Sequence, residues 1–305
     1  MPDSRLVSGK QDYYNLAPWV LEGLKPANIA EKSKIIQTIY QTHGVVIFKA
    51  LLKGEPDFEL YLSDLRWMFS RLYARHSRTL PSDDLGEIIA TLATFDPEAG
   101  QIVADMGTQP NKFFSANRVK FSAWMSAALE AILGPDAVIA TPHAGDTLHL
   151  FMPGKGFHKY NLPIHQDFQY LMQGPRQTTL YIGLSNPHLG VGGLEYWPGS
   201  HKLGILMSEY NENGHWRVVD SERVLGEIDS REAFWEVGDV AIFDSLMCHR
   251  SIENETMDKG RVVQILRFSD LTHPASERVN WRSTVYPGRR SVTFEQAFPE
   301  LVRRE

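Results

Sequence analysis

The feature that most limits how this chain can fold is the segment after Pro135, where short runs of β-branched and aromatic residues alternate with Gly, Pro and Asn. Runs of about four to eight such residues between turn residues are typical of strands in an all-β unit. Strands in this number predict a jelly roll or cupin-like barrel, in which one sheet packs over another. The predicted strands are Val138–Thr141, Thr147–Met152, Leu162–Phe168, Thr178–Leu184, Gly193–Trp197, Ala233–Val237, Val240–Asp244 and Val262–Ser269.

The chain before Gly134 has apolar residues at helical spacing instead. Gly44 is expected to end the first helix, and the apolar run Val45–Phe48 predicts a short buried strand after it. Helices that precede strands predict an α+β fold, in which the helices pack on one sheet of the barrel. The predicted helices cover residues 28–42, 56–73, 83–94 and 117–133.

We expect residues 1–305 to form one domain, helical up to about residue 134 and with a β core over about residues 137–270. The alternative is two domains divided near Gly134, in which case the helical part would need its own core. Residues 204–232 form a long polar insertion between strands, typical of a lid or binding loop. The tail 279–305 carries aromatic side chains, which must pack on this chain or on a partner subunit.

Composition and charge limit the classes of partner. A net charge of −6 lacks the basic surplus that nucleic-acid-binding surfaces usually need. The one cysteine, Cys248, excludes an intramolecular disulfide, and no run reaches the roughly 18 apolar residues of a membrane span. The polar segment Met1–Tyr14 lacks the apolar core of a signal peptide. We therefore expect a cytoplasmic protein without a nucleic-acid or membrane partner, and leave open whether it forms a homo-oligomer.

His165 and Asp167 are two residues apart in a predicted strand, so both side chains are expected on one face. A second imidazole, His249, follows the predicted strand Val240–Asp244. Two histidines and one carboxylate on one face of a metal leave its other positions open, as in non-haem Fe(II) oxygenases. The alternative is a chance pair of residues in a polar turn.

Arg261, at the start of the last predicted strand, adds a cation that could bind a carboxylate, which a site that only holds a metal does not need. A guanidinium binds a carboxylate through two parallel hydrogen bonds, so it suits an anionic chelating co-substrate. Ser251 adds a hydroxyl, and Arg267, in mid-strand, is the alternative cation. A cupin-like protein that only binds or stores metal would have no use for such a clamp.

Taken in order, five motifs resemble the phytanoyl-CoA dioxygenase family of Fe(II)- and 2-oxoglutarate-dependent oxygenases. The resemblance runs from about Thr147 to Phe268, and implies a double-stranded β-helix with helices packed against one sheet. The interval from His249 to Arg261 is one residue longer than in the family pattern, which keeps Arg267 as an alternative. The motifs are His165-Gln166-Asp167, Gly193-Leu194-Glu195 with Pro198-Gly199-Ser200-His201-Lys202, Gly238-Asp239, His249-x-Ser251 and Arg261.

The resemblance implies iron ligation by His165, Asp167 and His249, and binding of the distal carboxylate of 2-oxoglutarate by Arg261. The family's reaction couples decarboxylation of 2-oxoglutarate, which gives succinate and CO2, to oxidation of an unactivated C–H bond. Asp167 favours hydroxylation over halogenation, because halogenating relatives have a small residue at that position. The further residues implied to contact 2-oxoglutarate are Ser251, Gln166, Thr179 and Tyr181.

Other outcomes remain open at this point. The same chemistry can give desaturation or oxidative cyclisation of a natural product, and a non-catalytic cupin-like metal-binding protein is the alternative class. Four residues are candidates for the substrate pocket, although aromatic side chains are more often part of a core. Cys248 is expected to be a buried thiol turned away from the metal, because strand neighbours point in opposite directions. The substrate candidates are Tyr170, His149, Trp197 and Trp216.

Overall fold

The computed structural model describes residues 17–96, 98–107, 109–142, 146–153, 161–186, 190–212, 214–281 and 298–302. The segment Met1–Tyr14 lies outside these ranges. The first half of the chain is helical, as predicted, and none of the helices described is both long enough and apolar enough to cross a membrane. The helices are α1 (Ser33–His43), α2 (Pro56–Arg75), α3 (Leu85–Phe95), α4 (Ala99–Met106), α5 (Phe114–Lys120) and α6 (Ala123–Leu133), with 3-10 turns at Pro26–Asn28, Ala30–Lys32 and Pro110–Lys112.

Local sequence sets where several helices begin and end. Pro56 opens α2, where its missing backbone N–H costs nothing because the first turn has no acceptor for it. Asp84 caps α3 by accepting a hydrogen bond from the Glu87 backbone N–H (3.0 Å). Helix α1 ends at Gly44, whose φ of 72° is readily adopted only by glycine. The predicted end of the first helix is therefore confirmed.

The single helix predicted over residues 117–133 is wrong. The chain leaves α5 at Phe121, and α6 begins after Ser122. The Ser122 hydroxyl donates a hydrogen bond to the Val119 carbonyl (2.8 Å), and the Ser122 backbone is extended. A serine that bonds to the backbone of the preceding turn competes with continuation of a helix, and an extended serine can start a new one.

In the described part of the chain, the strands form a large sheet, a small sheet and a separate two-stranded hairpin. In sequence order they are β1 (Val20–Leu21), β2 (Val45–Phe48), β3 (Ile139–Ala140), β4 (Thr147–Phe151), β5 (Gln177–Gly183), β6 (Leu194–Tyr196), β7 (Ser208–Tyr210), β8 (Trp216–Val218), β9 (Arg231–Ala233), β10 (Val240–Asp244), β11 (His249–Ser251) and β12 (Arg261–Asp270). The large sheet has the order β1-β2-β10-β5-β12-β3, with β4 also paired to β12. The small sheet has the order β11-β6-β9, and β7 pairs with β8.

The large sheet is buried on both faces. Successive side chains along a strand point in opposite directions, so neighbouring residues belong to different apolar clusters. On β5, Leu180 and Ile182 join an apolar cluster with helices α1 to α6. Tyr181, between them, packs instead with Leu194 and Tyr196 of the small sheet. The small sheet therefore faces the large one across an interior, and the helices cover the opposite face. This is the predicted α+β double-stranded β-helix with N-terminal helices on one sheet.

The strand predicted over residues 162–168 is wrong. Only His165 makes a β-bridge there, with His249. Pro163 has no N–H to contribute to a strand ladder, and Asp167 has helical φ and ψ angles of −64° and −22°. The chain therefore turns out of the sheet directly after the bridge. The turn leads into the short helix α7 (Phe168–Leu171).

The insertion predicted over residues 204–232 contains the hairpin of β7 and β8, and a short helix, α8 (Ser221–Leu225). Three of its buried side chains form an apolar cluster with two residues on the outer side of the small sheet. Cys248 belongs to this cluster and is fully buried, as predicted, and burial raises its pKa to about 12. The cluster consists of Trp197, Leu206, Val218, Leu225 and Cys248.

Parts of the predicted tail 279–305 lie within the described ranges, after a last helix, α9 (Pro274–Arg278). Phe298 is fully buried and packs edge-on against Phe168, with 5.1 Å between the ring centroids. The Ile205 N–H donates a hydrogen bond to the Leu301 carbonyl (2.8 Å). Residues 298–302 thus pack on their own chain, and Phe298 contacts Phe168, which follows Asp167.

We expect Phe298→Ala to lower the free energy of unfolding by about 3–5 kcal/mol, the usual cost of removing a buried phenylalanine ring. Urea unfolding followed by tryptophan fluorescence measures this. The control is Phe114→Ala, at a ring that is 85% exposed, which should change the free energy by less than about 0.5 kcal/mol. Equal stability of the two variants would contradict the packing of the tail on Phe168.

Candidate metal centre

Two backbone hydrogen bonds place two of the candidate ligands side by side. The His165 N–H donates to the His249 carbonyl (3.0 Å), and the His249 N–H donates to the His165 carbonyl (3.1 Å). This reciprocal pair fixes the loop that carries His165 against the first residue of β11. The two imidazole centroids are 4.2 Å apart, and both residues are 1% exposed.

Each imidazole is oriented by a backbone carbonyl two residues before it. Nδ1 of His165 lies 2.7 Å from the Pro163 oxygen, and Nδ1 of His249 lies 3.0 Å from the Met247 oxygen. A carbonyl can only accept, so Nδ1 of each ring carries a proton, and Nε2 is the ring nitrogen that faces the other candidate ligands. Among the residues that the structure describes, neither buried Nε2 atom has a hydrogen-bond partner. Metal-ligating histidines are held in this way, with the second ring nitrogen donating to a carbonyl or carboxylate.

The Asp167 carboxylate completes the cluster. Its Oδ1 atom lies 3.5 Å from Nε2 of His165 and 3.9 Å from Nε2 of His249. One donor atom from each residue lies within 4.8 Å of the other two, so the three could hold one metal ion. Asp167 reaches the histidines through the turn into α7, and not through the strand alternation expected from the sequence.

A buried carboxylate needs compensating partners, and Asp167 has one on each oxygen. Thr179 Oγ1 donates to Oδ2 (2.7 Å), and Arg267 Nη2 donates to Oδ1 (3.1 Å). Burial alone would raise the pKa of Asp167, but Arg267 and the imidazoles of His165 and His249 hold it well below its usual range. Burial, together with the neighbouring His165, lowers the pKa of His249 to about 3. At neutral pH the cluster therefore offers an ionised carboxylate beside a neutral His249.

Arg261 and Arg267 lie on the same face of β12, because residues an even number apart along a strand point the same way. Val263 and Ile265, between them, belong to the interior cluster, so both arginines enter the space between the sheets. The Arg261 guanidinium lies over the Phe151 ring, 3.7 Å from its centroid. Its Nε and Nη1 atoms are buried and have no hydrogen-bond partner within the described part of the chain, and burial lowers its pKa to about 10. A buried guanidinium with unsatisfied donors fits an anionic ligand.

The other residues expected near the co-substrate include three that face the same interior. Thr179 and Tyr181 are two apart on β5, and Thr179 is directly opposite Arg267 on β12. Burial raises the pKa of the Tyr181 hydroxyl, which therefore stays protonated. Ser251 is directly opposite Leu194, whose side chain packs in the interior, so the Ser251 side chain points to that side of the small sheet.

His149 also faces the interior. It lies on β4 between Leu148 and Leu150, which pack with the helices, and its ring centroid is 6.1 Å from that of Phe151 in the interior cluster. Burial, reinforced by Arg267, lowers the pKa of His149 well below its usual range. His149 thus presents a neutral imidazole to the pocket.

Gln166 and Trp197 lie elsewhere. The Gln166 amide nitrogen donates to the carbonyls of Gly204 (2.8 Å) and Leu246 (2.7 Å), and its oxygen accepts from the Leu206 N–H (2.9 Å). The amide is thus bonded to the segments around the histidine bridge. Trp197 packs with the insertion, away from the interior, because it follows the inward-facing Tyr196.

The hairpin of the insertion lies against the triad loop. The Tyr170 ring is edge-on to His165, with 5.5 Å between centroids. Its hydroxyl accepts a hydrogen bond from the Trp216 backbone N–H (3.2 Å). The Trp216 ring packs on the Tyr210 ring, with 5.3 Å between their centroids. The Tyr170 ring therefore lies beside a candidate metal ligand, and its hydroxyl holds the backbone of the hairpin at Trp216.

The contact between Arg267 and Asp167 was not foreseen from the sequence. The even interval between Arg261 and Arg267 within one strand was a signal that both side chains share a face. The pairing of Arg267 with Thr179, and the turn that brings Asp167 to them, depend on sheet register and could not be derived from the spacing.

The family model of phytanoyl-CoA dioxygenase matches residues 67–263, more than half of the chain. Two curated proteins, both named 1-deoxypentalenic acid 11-beta-hydroxylase, are similar over shorter segments. The one from Streptomyces exfoliatus is 33% identical over 97 residues, which cover 30% of this chain and 34% of that protein. The one from Streptomyces arenae is 31% identical over 101 residues, which cover 32% of this chain and 36% of that protein. The match thus spans about a third of the length of these relatives.

Solved structures share the fold at low sequence identity. The non-heme monooxygenase ThoJ in its apo form has a TM-score of 0.51 and 17% identity, with 78% of both chains covered. The epimerase SnoN, solved with Fe3+, alpha ketoglutarate and a nogalamycin compound, has a TM-score of 0.53 and 14% identity, with 87% of this chain and 93% of SnoN covered. These likenesses support the double-stranded β-helix.

We expect Tyr170→Phe to loosen the hairpin, because it removes the acceptor of the Trp216 N–H. An unmet backbone N–H costs about 1–3 kcal/mol, so amide exchange of Trp216 should accelerate roughly tenfold or more. Hydrogen–deuterium exchange of peptides that span residues 214–218 measures this. Tyr210→Phe, at a residue that is 54% exposed, is the control and should leave the exchange rate unchanged. Unaltered protection of Trp216 in Tyr170→Phe would show that the hairpin is held by other contacts.

Proposed function

Because this chain belongs to the phytanoyl-CoA dioxygenase family of non-haem iron and 2-oxoglutarate-dependent oxygenases, we propose that it hydroxylates an unactivated C–H bond of a small organic molecule. Bound iron and 2-oxoglutarate supply the activation of O2 in such an enzyme, with release of succinate and CO2. We propose the cytoplasm as its location, since the single cysteine suits a reducing compartment.

One observation carries the proposal. His165 and His249 present buried Nε2 lone pairs, without hydrogen-bond partners, beside the same oxygen of Asp167. An unmet polar atom in a protein interior costs free energy unless a ligand satisfies it. Two neutral nitrogen donors and one carboxylate suit ferrous iron and leave its remaining positions for other ligands. His165, Asp167 and His249 would therefore hold the iron.

Arg261 would bind the distal carboxylate of 2-oxoglutarate. Its unsatisfied Nε and Nη1 donors lie in the interior, on the strand face that also carries Arg267. Stacking on Phe151 holds the guanidinium plane in place and keeps water from one side of it. Tyr181 and Ser251 would add hydroxyl groups along the same interior. The carboxylate clamp favours this role over that of a non-catalytic cupin-like metal protein.

Hydroxylation is favoured over the alternative outcomes by two arguments. Asp167 is present as a carboxylate ligand, so no ligand position is vacated for a halide. The curated relatives are named as hydroxylases of 1-deoxypentalenic acid, although the match covers only about a third of their length. Desaturation and cyclisation depend on where the substrate lies beside the iron. We propose Tyr170, Trp216 and His149 as substrate-facing residues.

We expect Asp167→Ala to abolish turnover, because the site loses its only anionic metal ligand. Succinate release in the presence of Fe(II), 2-oxoglutarate, O2 and a panel of candidate small molecules measures this. Asp83→Ala, at a side chain that is 95% exposed, is the control and should keep wild-type activity. Wild-type turnover by Asp167→Ala would rule out the proposed iron ligands.

We expect Arg261→Leu to weaken 2-oxoglutarate binding by about 2–5 kcal/mol, the usual cost of removing one partner of a buried charge pair. Titration of the anaerobic Fe(II) protein with 2-oxoglutarate, followed by the weak visible charge-transfer band, gives the dissociation constant. Arg223→Leu, at a side chain that is 76% exposed, is the control. An unchanged constant in Arg261→Leu would assign the clamp to another residue.

The same titration of the wild-type protein tests the proposed function as a whole. A band on adding 2-oxoglutarate to the Fe(II) protein indicates chelation at a protein-held iron, and needs no knowledge of the substrate. Iron binding without a band would favour the metal-binding alternative. Absence of iron binding would contradict the proposal from its first step.

A further inference from the structure

We propose that Arg267 is a positioning residue of the metal centre: it is the counter-ion of Asp167 in the metal-free protein, and so sets how tightly the site holds a divalent cation. The proposal rests on the proposed function, because it takes Asp167 as a metal ligand. It separates the two arginines of β12, with Arg261 serving the co-substrate and Arg267 serving the carboxylate ligand.

The contacts of the Asp167 carboxylate carry the first step. Arg267 and Thr179 are directly opposite each other on β12 and β5, and each holds a different oxygen of Asp167. Arg267 bonds Oδ1 (3.1 Å), which is also the oxygen near the Nε2 atoms of His165 and His249. Thr179 bonds Oδ2 (2.7 Å). The guanidinium and a metal held by the histidines would therefore share the same carboxylate oxygen.

The position of Arg267 is fixed by its surroundings. It lies within β12, which pairs with β5 on one side and with β3 and β4 on the other, and it is 7% exposed. Its backbone N–H donates to the Asp146 carboxylate (3.0 Å), which also pairs with Lys120. The backbone of Arg267 is thus held in place, and its side chain is 9% exposed, so the guanidinium stays close to Asp167.

The charges then decide the effect of Arg267 on metal affinity. A positive charge beside a divalent cation opposes binding, and this repulsion is poorly screened in a protein interior. In the metal-free state, the same charge compensates a buried carboxylate that would otherwise be costly. Both effects shift the equilibrium toward the metal-free protein. Thr179 carries no charge, and by fixing the carboxylate it can only favour binding.

The two partners of Asp167 should therefore have opposite effects. We expect Arg267→Met to bind Co(II) about tenfold more tightly than the wild type, and to melt at a lower temperature when metal-free. Arg267→Lys keeps the charge and should restore an affinity near that of the wild type. Thr179→Val should bind Co(II) about 10- to 100-fold more weakly, as is usual when a partner that orients a metal ligand is lost.

The experiment is an anaerobic Co(II) titration of the full chain without 2-oxoglutarate, followed by the visible d–d absorption. Arg261→Met is the matched control, since it removes a buried arginine from the same face of the same strand. It should weaken 2-oxoglutarate binding without the gain in Co(II) affinity. Equal or weaker Co(II) binding by Arg267→Met would overturn the proposal. Should Arg267→Met fail to fold, Arg267→Gln makes the same test.

A failure of the proposed function is distinguishable from a failure of this proposal. Wild-type protein that binds no Co(II) would contradict the iron site and, with it, the effect of Arg267 on metal affinity. The ion pair is then judged by thermal unfolding of Arg267→Met, Asp167→Asn and the double variant. Coupled changes in melting temperature support the counter-ion role, whereas additive changes overturn it.

Discussion

The pair of hydrogen bonds between the backbones of His165 and His249 is the constraint on which the site depends. It joins a loop that has left the sheet to the first residue of β11, so both imidazoles enter the interior from one side. Gln166, between His165 and Asp167, bonds Gly204, Leu206 and Leu246 and holds the same loop from behind. Because these bonds are made by backbone and amide groups, the Nε2 atoms of both histidines remain available for a metal.

Burial on both faces of the large sheet gives the site its electrostatic character. Helices α1 to α6 cover one face, and the interior face carries apolar side chains together with Arg261 and Arg267, the second of which meets the buried Asp167. Charges in such a place are costly unless paired. Asp167 is paired within the chain, whereas the donors of Arg261 that lack partners mark where an anion from outside is expected. The fold thus stabilises the Asp167 carboxylate with its own side chains, and we propose that a bound anion pairs with Arg261.

The sequence predicted the layers and the residues of the triad, because both follow from patterns that a chain carries locally. Strand alternation separated the helical face from the interior, and the order of the five motifs pointed to the family. The strand over residues 162–168 was wrong, because Pro163 and the turn at Asp167 take the chain out of the sheet. The family resemblance implied that Gln166 lies near the co-substrate, and Trp197 was an aromatic candidate for the substrate pocket. Their actual contacts depend on the insertion, whose path no local pattern specifies.

The two arginines of β12 show what spacing can and cannot decide. Their even interval puts both in the interior, so sequence alone gives two candidates for one carboxylate clamp. Their neighbours distinguish them: Arg267 is opposite Thr179 and meets Asp167, whereas Arg261 is opposite Phe151 and meets an aromatic face. A guanidinium already bonded to a carboxylate gains less from a second anion than one with unsatisfied donors. Register therefore favours the proposal that Arg261 binds an incoming anion, while Arg267 is bonded to the Asp167 carboxylate.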